Sequence, residues 1–145
     1  MIHSSTVTGW ILAAVVAAVS FPEFNRTPPT IVLKSELLTE KVAAGETFLA
    51  EVTVARLRIC DAHLRAKMID SEGNVFVYPP GIVEKSERNT YMVDRVVPSK
   101  LVPGPAVYQP DTTYACTTLQ HYLPFLRLQR NDERIRFEIV ERPKE

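Results

Sequence analysis

Most of the chain after residue 30 alternates apolar and polar residues with a period of two, which is typical of half-buried β-strands. The clearest run occupies 60–69, with five apolar residues on one face and four polar residues between them. The segments 48–54 and 135–139 alternate in the same way. The pattern slips at 55–59, where two arginines fall in the buried phase, so we predict a corner or bulge there.

Turn-forming residues divide this region into about seven short strands. Isolated glycines, often with prolines or polar residues, mark the breaks, and no internal repeat is visible. Seven short strands without a convincing helix after residue 30 predict an all-β fold, an antiparallel sandwich or barrel over 31–145. The predicted strands cover 31–38, 47–55, 60–69, 75–78, 90–97, 106–118 and 133–141.

The segment 119–129 is the least regular part of the β region, with Pro124 in the middle of an apolar stretch. Contiguous exposed apolar surface usually marks a partner site, which makes this segment a candidate interaction patch. The alternative is that the loop covers an open end of the sandwich and completes the core. The patch residues are Tyr122, Leu123, Phe125 and Leu126.

A separate apolar segment precedes the β region. Residues 10–19 are ten consecutive apolar residues, so we expect 1–21 to form a helix that avoids water on every face. The proline-rich stretch 22–30 then acts as an extended tether. The side chains expected to contact a membrane or an assembly are Trp10, Ile11, Leu12, Val15, Val16 and Val19.

Three interpretations of this segment remain open. A cleaved signal peptide fits the small residues Ala18 and Ser20, although no Lys or Arg precedes Arg26. An uncleaved membrane anchor would use residues 7–24, which span about 27 Å as a helix and are short for a bilayer. The third is a helix buried in a protein assembly. All three place the β region outside the cytoplasm, in the periplasm or on a membrane, or in a virion.

Composition narrows the function classes. The 17 basic and 17 acidic residues give a formal net charge of zero, which excludes a nucleic-acid binder that depends on a basic excess. A chain with 46% hydrophobic and 23% charged residues can fold. Eleven prolines against five glycines agree with a β protein rich in turns.

Cys60 and Cys116 are the only cysteines, and an exported chain with two cysteines favours one disulfide. That bond would join the third predicted strand to the sixth and contribute at most about 4 kcal/mol by loop-closure entropy. Two free thiols are an alternative, and so is a zinc site with His63 and His121. Strand alternation disfavours zinc, because it turns Cys60 and His63 to opposite faces. We predict no metal and no cofactor.

No catalytic grouping is supported by spacing. The serines lack a nucleophile elbow, and the isolated glycines form no phosphate-binding loop. A catalytic set could be assembled from Asp61 and His63 with Asp94 or Asp111, but the spacing of these residues gives no evidence for it. A metal-dependent hydrolase using the histidines and cysteines is a further, less favoured class. We therefore expect no catalytic residues and no enzymatic activity.

One motif carries a family resemblance. The run from Pro103 to Tyr108, P-G-P-A-V-Y, followed by Tyr114-Ala115-Cys116, resembles the penultimate-strand region of immunoglobulin-like domains. The layout of 30–142 is similar to small exported immunoglobulin-like proteins of bacteriophage and prophage genomes. The first cysteine opens the third strand rather than the second, and no tryptophan lies in the expected core. The resemblance implies an immunoglobulin-like sandwich.

These features predict a non-enzymatic structural or interaction module of a bacterial envelope or phage particle. Its partner would be a protein or assembly, with membrane contact through 7–24 and no nucleic acid. The alternative is a soluble periplasmic or secreted binding or inhibitory factor, released by signal cleavage and using a sheet edge. The sequence does not indicate the oligomeric state.

Overall fold

The computed structural model of the chain describes residues 8–17, 26–83, 87–130 and 132–142. Residues 8–17 form a helix, α1, and the remainder is mostly β-structure. A short helix, α2, spans Thr118–Tyr122, and a 3-10 turn spans Pro124–Leu126. The strands are β1 Thr30–Leu37, β2 Lys41–Ala43, β3 Thr47–Arg56, β4 Asp61–Ile69, β5 Val75–Val77, β6 Gly81–Val83, β7 Thr90–Val96, β8 Gly104–Ala115, β9 Leu128–Arg130 and β10 Ile135–Val140.

The strands form two sheets. The first is three-stranded in the order β1-β3-β7, and the second has the order β2-β10-β8-β4-β5, with β6 paired to β4 and β9 paired to β8. The pair β4–β8 runs antiparallel from Asp61–Ala115 to Ile69–Val107 and forms the centre of the second sheet. The pair β10–β2 is parallel.

The hydrophobic core lies between the two sheets. Phe48 of β3 is fully buried, and its ring centroid lies 4.6 Å from that of Phe137 on β10 and 5.5 Å from that of Tyr108 on β8. The alternating residues of 48–54 that point inward are all buried. The period-two pattern therefore identified the core face, and the predicted all-β sandwich is confirmed.

Three details of the strand prediction were wrong. The seven predicted strands are present, but the prediction missed β2, β6 and β9. These strands have only three residues each and are too short for a period to be visible. The sandwich is not wholly antiparallel, because β2 lies parallel to β10. The region after residue 30 does contain a helix, since the Thr117 hydroxyl caps α2 by accepting the Gln120 N–H at 3.3 Å.

The predicted corner at 55–59 is confirmed, because β3 ends at Arg56 and β4 begins at Asp61. Cys60 lies just before β4, Cys116 lies just after β8, and the two form a disulfide. The predicted pairing is thus confirmed, and both sulfurs are unavailable to zinc. In immunoglobulin domains the disulfide joins the two sheets. Here it joins neighbouring strands of one sheet.

Asp70 organises the turn between β4 and β5. Its Oδ1 accepts the N–H groups of Glu72 at 3.0 Å and Asn74 at 2.8 Å. Its Oδ2 accepts the Asn74 side-chain amide at 2.8 Å and the Val102 N–H at 2.9 Å. Burial alone would raise the pKa of Asp70, but these hydrogen bonds lower it to about 2. One carboxylate therefore holds both this turn and the loop that leads into β8.

We expect the stabilising effect of Asp70 to depend on pH. The folded pKa of about 2 lies below the ordinary aspartate value of 3.8, so the contribution is fully present above pH 3.8 and disappears as the pH falls towards 2. The difference in melting temperature between wild type and Asp70→Asn should shrink over that interval in a thermal denaturation series. Asp94→Asn, at an exposed carboxylate, is the control. A difference that stays constant with pH would contradict the role of the ionised form.

Candidate functional site

The segment that follows the disulfide is fixed to the sandwich by its polar groups. Gln120 is fully buried, and its Oε1 accepts the Cys116 N–H at 2.8 Å. The Arg127 guanidinium donates from Nε to the Gln120 carbonyl at 3.2 Å. The Arg26 guanidinium donates to the Leu126 carbonyl, also at 3.2 Å. These bonds hold α2 and the 3-10 turn in one arrangement, even though both elements are short.

The two aromatic side chains of this segment point into water. Tyr122 is 79% exposed and Phe125 is 76% exposed, and we call these two residues the aromatic patch. Leu123 and Leu126, which the sequence grouped with them, are only partly exposed. Leu128 and Gln120 of the same segment are buried. The segment thus contributes to the interior through some residues and presents aromatic surface through others.

A surface groove of about 450 Å³ runs beside Phe125. Ile82 of β6, which is 66% exposed, lines the same groove. The exposed apolar surface therefore extends from the 3-10 turn to a neighbouring strand, and polar groups of His63, Asp111 and Arg127 border it. An apolar area edged by polar side chains is a common form of protein-binding surface.

The two histidines discussed above are brought close together. The His121 Nε2 lies 3.2 Å from an Asp61 carboxylate oxygen, and the ring centroids of His63 and His121 are 6.5 Å apart. Burial lowers the pKa of His63, and the positive charge of Arg127 lowers it further. Both effects favour the neutral form of His63. Within the described ranges, no group of three or more His, Cys, Asp or Glu residues is placed to hold a metal ion.

A buried charged network lies deeper, between the two sheets. Arg130 of β9 is 7% exposed and pairs through Nε with the Asp132 carboxylate. Its Nη1 donates to the Tyr114 hydroxyl at 2.8 Å, and its Nη2 donates to the Tyr91 hydroxyl at 3.0 Å. The Thr112 hydroxyl lies 2.6 Å from an Asp132 carboxylate oxygen, to which it donates.

This network links the two sheets, because Tyr91 belongs to β7 of the first sheet and Tyr114 to β8 of the second. Burial would lower the pKa of Arg130, but the hydrogen bond to Asp132 and the neighbouring phenols raise it overall. The guanidinium therefore stays charged. Sequence reasoning missed Arg130, because a single arginine at the end of a three-residue strand has no distinguishing pattern.

Five of the six apolar residues predicted at the amino end lie in α1. Trp10, Ile11, Leu12, Val15 and Val16 are all exposed, and Val19 lies outside the described residues. The ten residues of α1 extend about 15 Å. None of the helices in the described ranges is both long enough and apolar enough to cross a membrane. The suggested span over 7–24 stays a prediction, since 18–25 are not described.

No model of a known protein family matches this sequence, and no curated protein matches it. The resemblance to immunoglobulin-like phage proteins therefore stays a prediction.

We expect Arg130→Met to destabilise the fold strongly. The change leaves Asp132 buried without its cation, and breaking a buried pair in this way typically costs about 3–5 kcal/mol. The free energy of unfolding from urea denaturation measures the effect. Arg136→Met, at an exposed position of β10, is the matched control and should change it by no more than about 0.5 kcal/mol. Equal effects of the two substitutions would show that the buried network has no special role.

Proposed function

We propose that this chain is a non-enzymatic interaction module that works outside the cytoplasm, exported or tethered by its apolar amino-terminal segment. Its setting is a bacterial envelope or a phage particle, and its partner is a protein. The observation that carries the proposal is the aromatic patch, which exposes Tyr122 and Phe125 on a segment that is hydrogen-bonded in place.

Two features support a location outside the cytoplasm. Structural disulfides persist in oxidising compartments, and Cys60–Cys116 is such a bond between paired strands. The apolar run at 10–19 is the second feature, since it fits a signal, an anchor or an assembly helix. A signal, an anchor or an assembly helix would each place the β region outside the reducing cytoplasm or in a virion.

The physics of the aromatic patch supports binding to a protein. Tyrosine and phenylalanine are enriched in protein interfaces, because burying their rings removes a large apolar area from water. Segment 117–127 is already fixed by Gln120 and Arg127, so it loses little conformational entropy when a partner binds. A partner with an apolar contact surface would cover both rings and extend along the groove towards Ile82.

We further propose that the sandwich is immunoglobulin-like and related to exported phage proteins. The run that carries the resemblance forms the start of β8, where Gly104 has a φ of +132°. A Cβ at Gly104 would lie 2.8 Å from the Ser71 hydroxyl oxygen, so a glycine is required there for two reasons. The disulfide within one sheet is a departure from the pattern of antibody domains.

The alternative, a soluble secreted binding or inhibitory factor, is favoured by a different feature. The first sheet ends at β1 on one side and at β7 on the other, so both strands have a side without a partner in the described sheet. Such edges can accept an extended segment of another protein as an added strand.

Cell fractionation with intact-mass measurement tests the location. We expect the chain in the extracytoplasmic or membrane fraction, with a mass that rises by two hydrogen atoms when reductant is added to the denatured protein. A chain that begins near Phe21 would favour the soluble factor, and an uncleaved chain in the membrane fraction would favour the tether. The variant Cys60→Ser/Cys116→Ser is the control for the mass change. An uncleaved, free monomer in the cytosol would overturn the proposal.

Photo-crosslinking from single positions tests the aromatic patch. A photoreactive phenylalanine in place of Phe125 should give a discrete protein adduct in the native host, because this ring lies in the proposed interface. The same group in place of Val75, which is also exposed but lies on β5 beside the end of β4 farthest from the disulfide, is the matched control and should give none. Adducts of equal yield from both positions, or none from Phe125, would contradict the assignment of the patch.

A further inference from the structure

The corner between β3 and β4 is fixed to the stretch of chain that leads into the sandwich. The Pro29 carbonyl accepts the N–H groups of Leu57 at 2.7 Å and Arg58 at 3.2 Å. The Arg58 guanidinium reaches further back and donates from Nη2 to the Thr27 carbonyl. The corner therefore lies where the chain enters the sandwich, at the end that carries the disulfide.

This end of the sandwich is close to α1 along the chain. Only residues 18–25 separate the last residue of α1 from Arg26, and a stretch of this length spans at most about 30 Å. Arg26 is itself held against the sandwich, since its guanidinium donates to the Leu126 carbonyl at 3.2 Å. Any surface that takes up the apolar side chains of α1 therefore lies near the corner.

The corner exposes two large apolar side chains. Leu57 is 56% exposed and Ile59 is 49% exposed, and we call these two residues the apolar corner. The bond from Leu57 to Pro29 and the disulfide at Cys60, next to Ile59, hold both residues in place. Apolar side chains held beside an apolar anchor can enter the outer part of a lipid bilayer.

Two cations accompany the apolar corner. Arg58 lies between Leu57 and Ile59 in the sequence, and Arg26 lies in the tether. Each guanidinium donates to one backbone carbonyl, which leaves further N–H groups for another acceptor. Within the described ranges, neither guanidinium forms an ion pair with a carboxylate. Unbalanced positive charges beside exposed apolar side chains match an anionic lipid surface.

The shape of α1 favours lipid over a protein as the surface that covers the corner. Trp10, Ile11 and Leu12 are consecutive, so they point to different sides of the helix, and all three are more than half exposed. A groove on a protein would cover one face of such a helix, whereas lipid covers every face.

We propose that the apolar corner lies on an anionic lipid surface, with Leu57 and Ile59 among the outer acyl chains and Arg26 and Arg58 at the phosphate groups. The proposal rests on the tether of the proposed function, because the surface that holds α1 also holds the corner. It does not use the side chains of the aromatic patch.

Fluorescence quenching of the full chain on vesicles tests the proposal. The vesicles contain equal parts of phosphatidylcholine and phosphatidylglycerol, with or without bromine on the acyl chains. A fluorescent amino acid in place of Leu57 should lose most of its emission in brominated vesicles, because bromine quenches only over short distances. The same amino acid in place of Val75, which is 48% exposed on β5 at the opposite end, is the matched control and should keep its emission.

Flotation of the same samples distinguishes failure of this proposal from failure of the tether. A chain that floats while position 57 keeps its emission would overturn the lipid contact, leave the tether standing and make a protein the occupant of the corner. A chain that does not float would overturn both. Quenching at Phe125 in place of position 57 would show that the aromatic patch faces the lipid, and equal quenching at 57 and 75 would show no preferred face. Either result would overturn the assignment to the corner.

Serine substitutions test the apolar contact. Leu57→Ser/Ile59→Ser should weaken association of the full chain with the unbrominated vesicles about tenfold, because two apolar side chains are removed from the lipid. Val75→Ser/Val77→Ser removes a similarly exposed pair on β5 and should have no effect. Far-ultraviolet circular dichroism and the state of the disulfide establish whether both variants fold. If the first does not fold, the quenching experiment decides. Equal losses in the two folded variants would overturn the proposal.

The charge is tested by Arg58→Gln. This variant should reduce the preference for the mixed vesicles over pure phosphatidylcholine vesicles about fivefold. Arg136→Gln, on the exposed face of β10, is the matched control and should leave the preference unchanged. The same preference in both variants would overturn the phosphate contact of Arg58.

Discussion

The long antiparallel pair β4–β8, closed at one end by Cys60–Cys116, is the constraint on which the other features depend. The inner face of this pair supplies Met68 and Tyr108 to the main core. Beyond the disulfide, the chain turns directly into α2 and the 3-10 turn. Cys116 thus fixes the point from which the segment of Tyr122 and Phe125 begins, and the hydrogen bonds of Gln120 and Arg127 hold the rest of it.

The interior of the sandwich has two chemical regions. Around Phe48, the two sheets meet through aromatic and aliphatic side chains. Towards the disulfide they meet through Arg130, whose hydrogen bonds reach Tyr91 on one sheet and Tyr114 on the other. A cavity of about 320 Å³ lies beside this charged bridge. The polar contact between the sheets and the cavity thus lie at the same end of the sandwich, the end that carries the disulfide.

The sequence could predict the parts of this fold that depend on repeated local patterns. The buried alternation of 48–54 and 135–139, the corner near Arg56 and the pairing of the only two cysteines are of this kind. It could not predict β2 or β9, because a three-residue strand shows no period and forms only when a distant partner is present. The role of Arg130 was also hidden, since its partners Tyr91 and Tyr114 are distant in the sequence and meet only through the tertiary fold.

The parallel pair β2–β10 joins a strand near the beginning of the β region to its last strand. Lys41 lies opposite Glu138, the Glu138 N–H donates to the Glu40 carbonyl at 2.9 Å, and Arg142 donates to the Ala44 carbonyl at 2.8 Å. Contacts of such long sequence separation form late and slow folding. The second sheet cannot acquire its outer strand until β10 has left the ribosome. Folding is therefore completed only after synthesis of the β region, so every earlier strand must wait in a partly formed sheet for the last one.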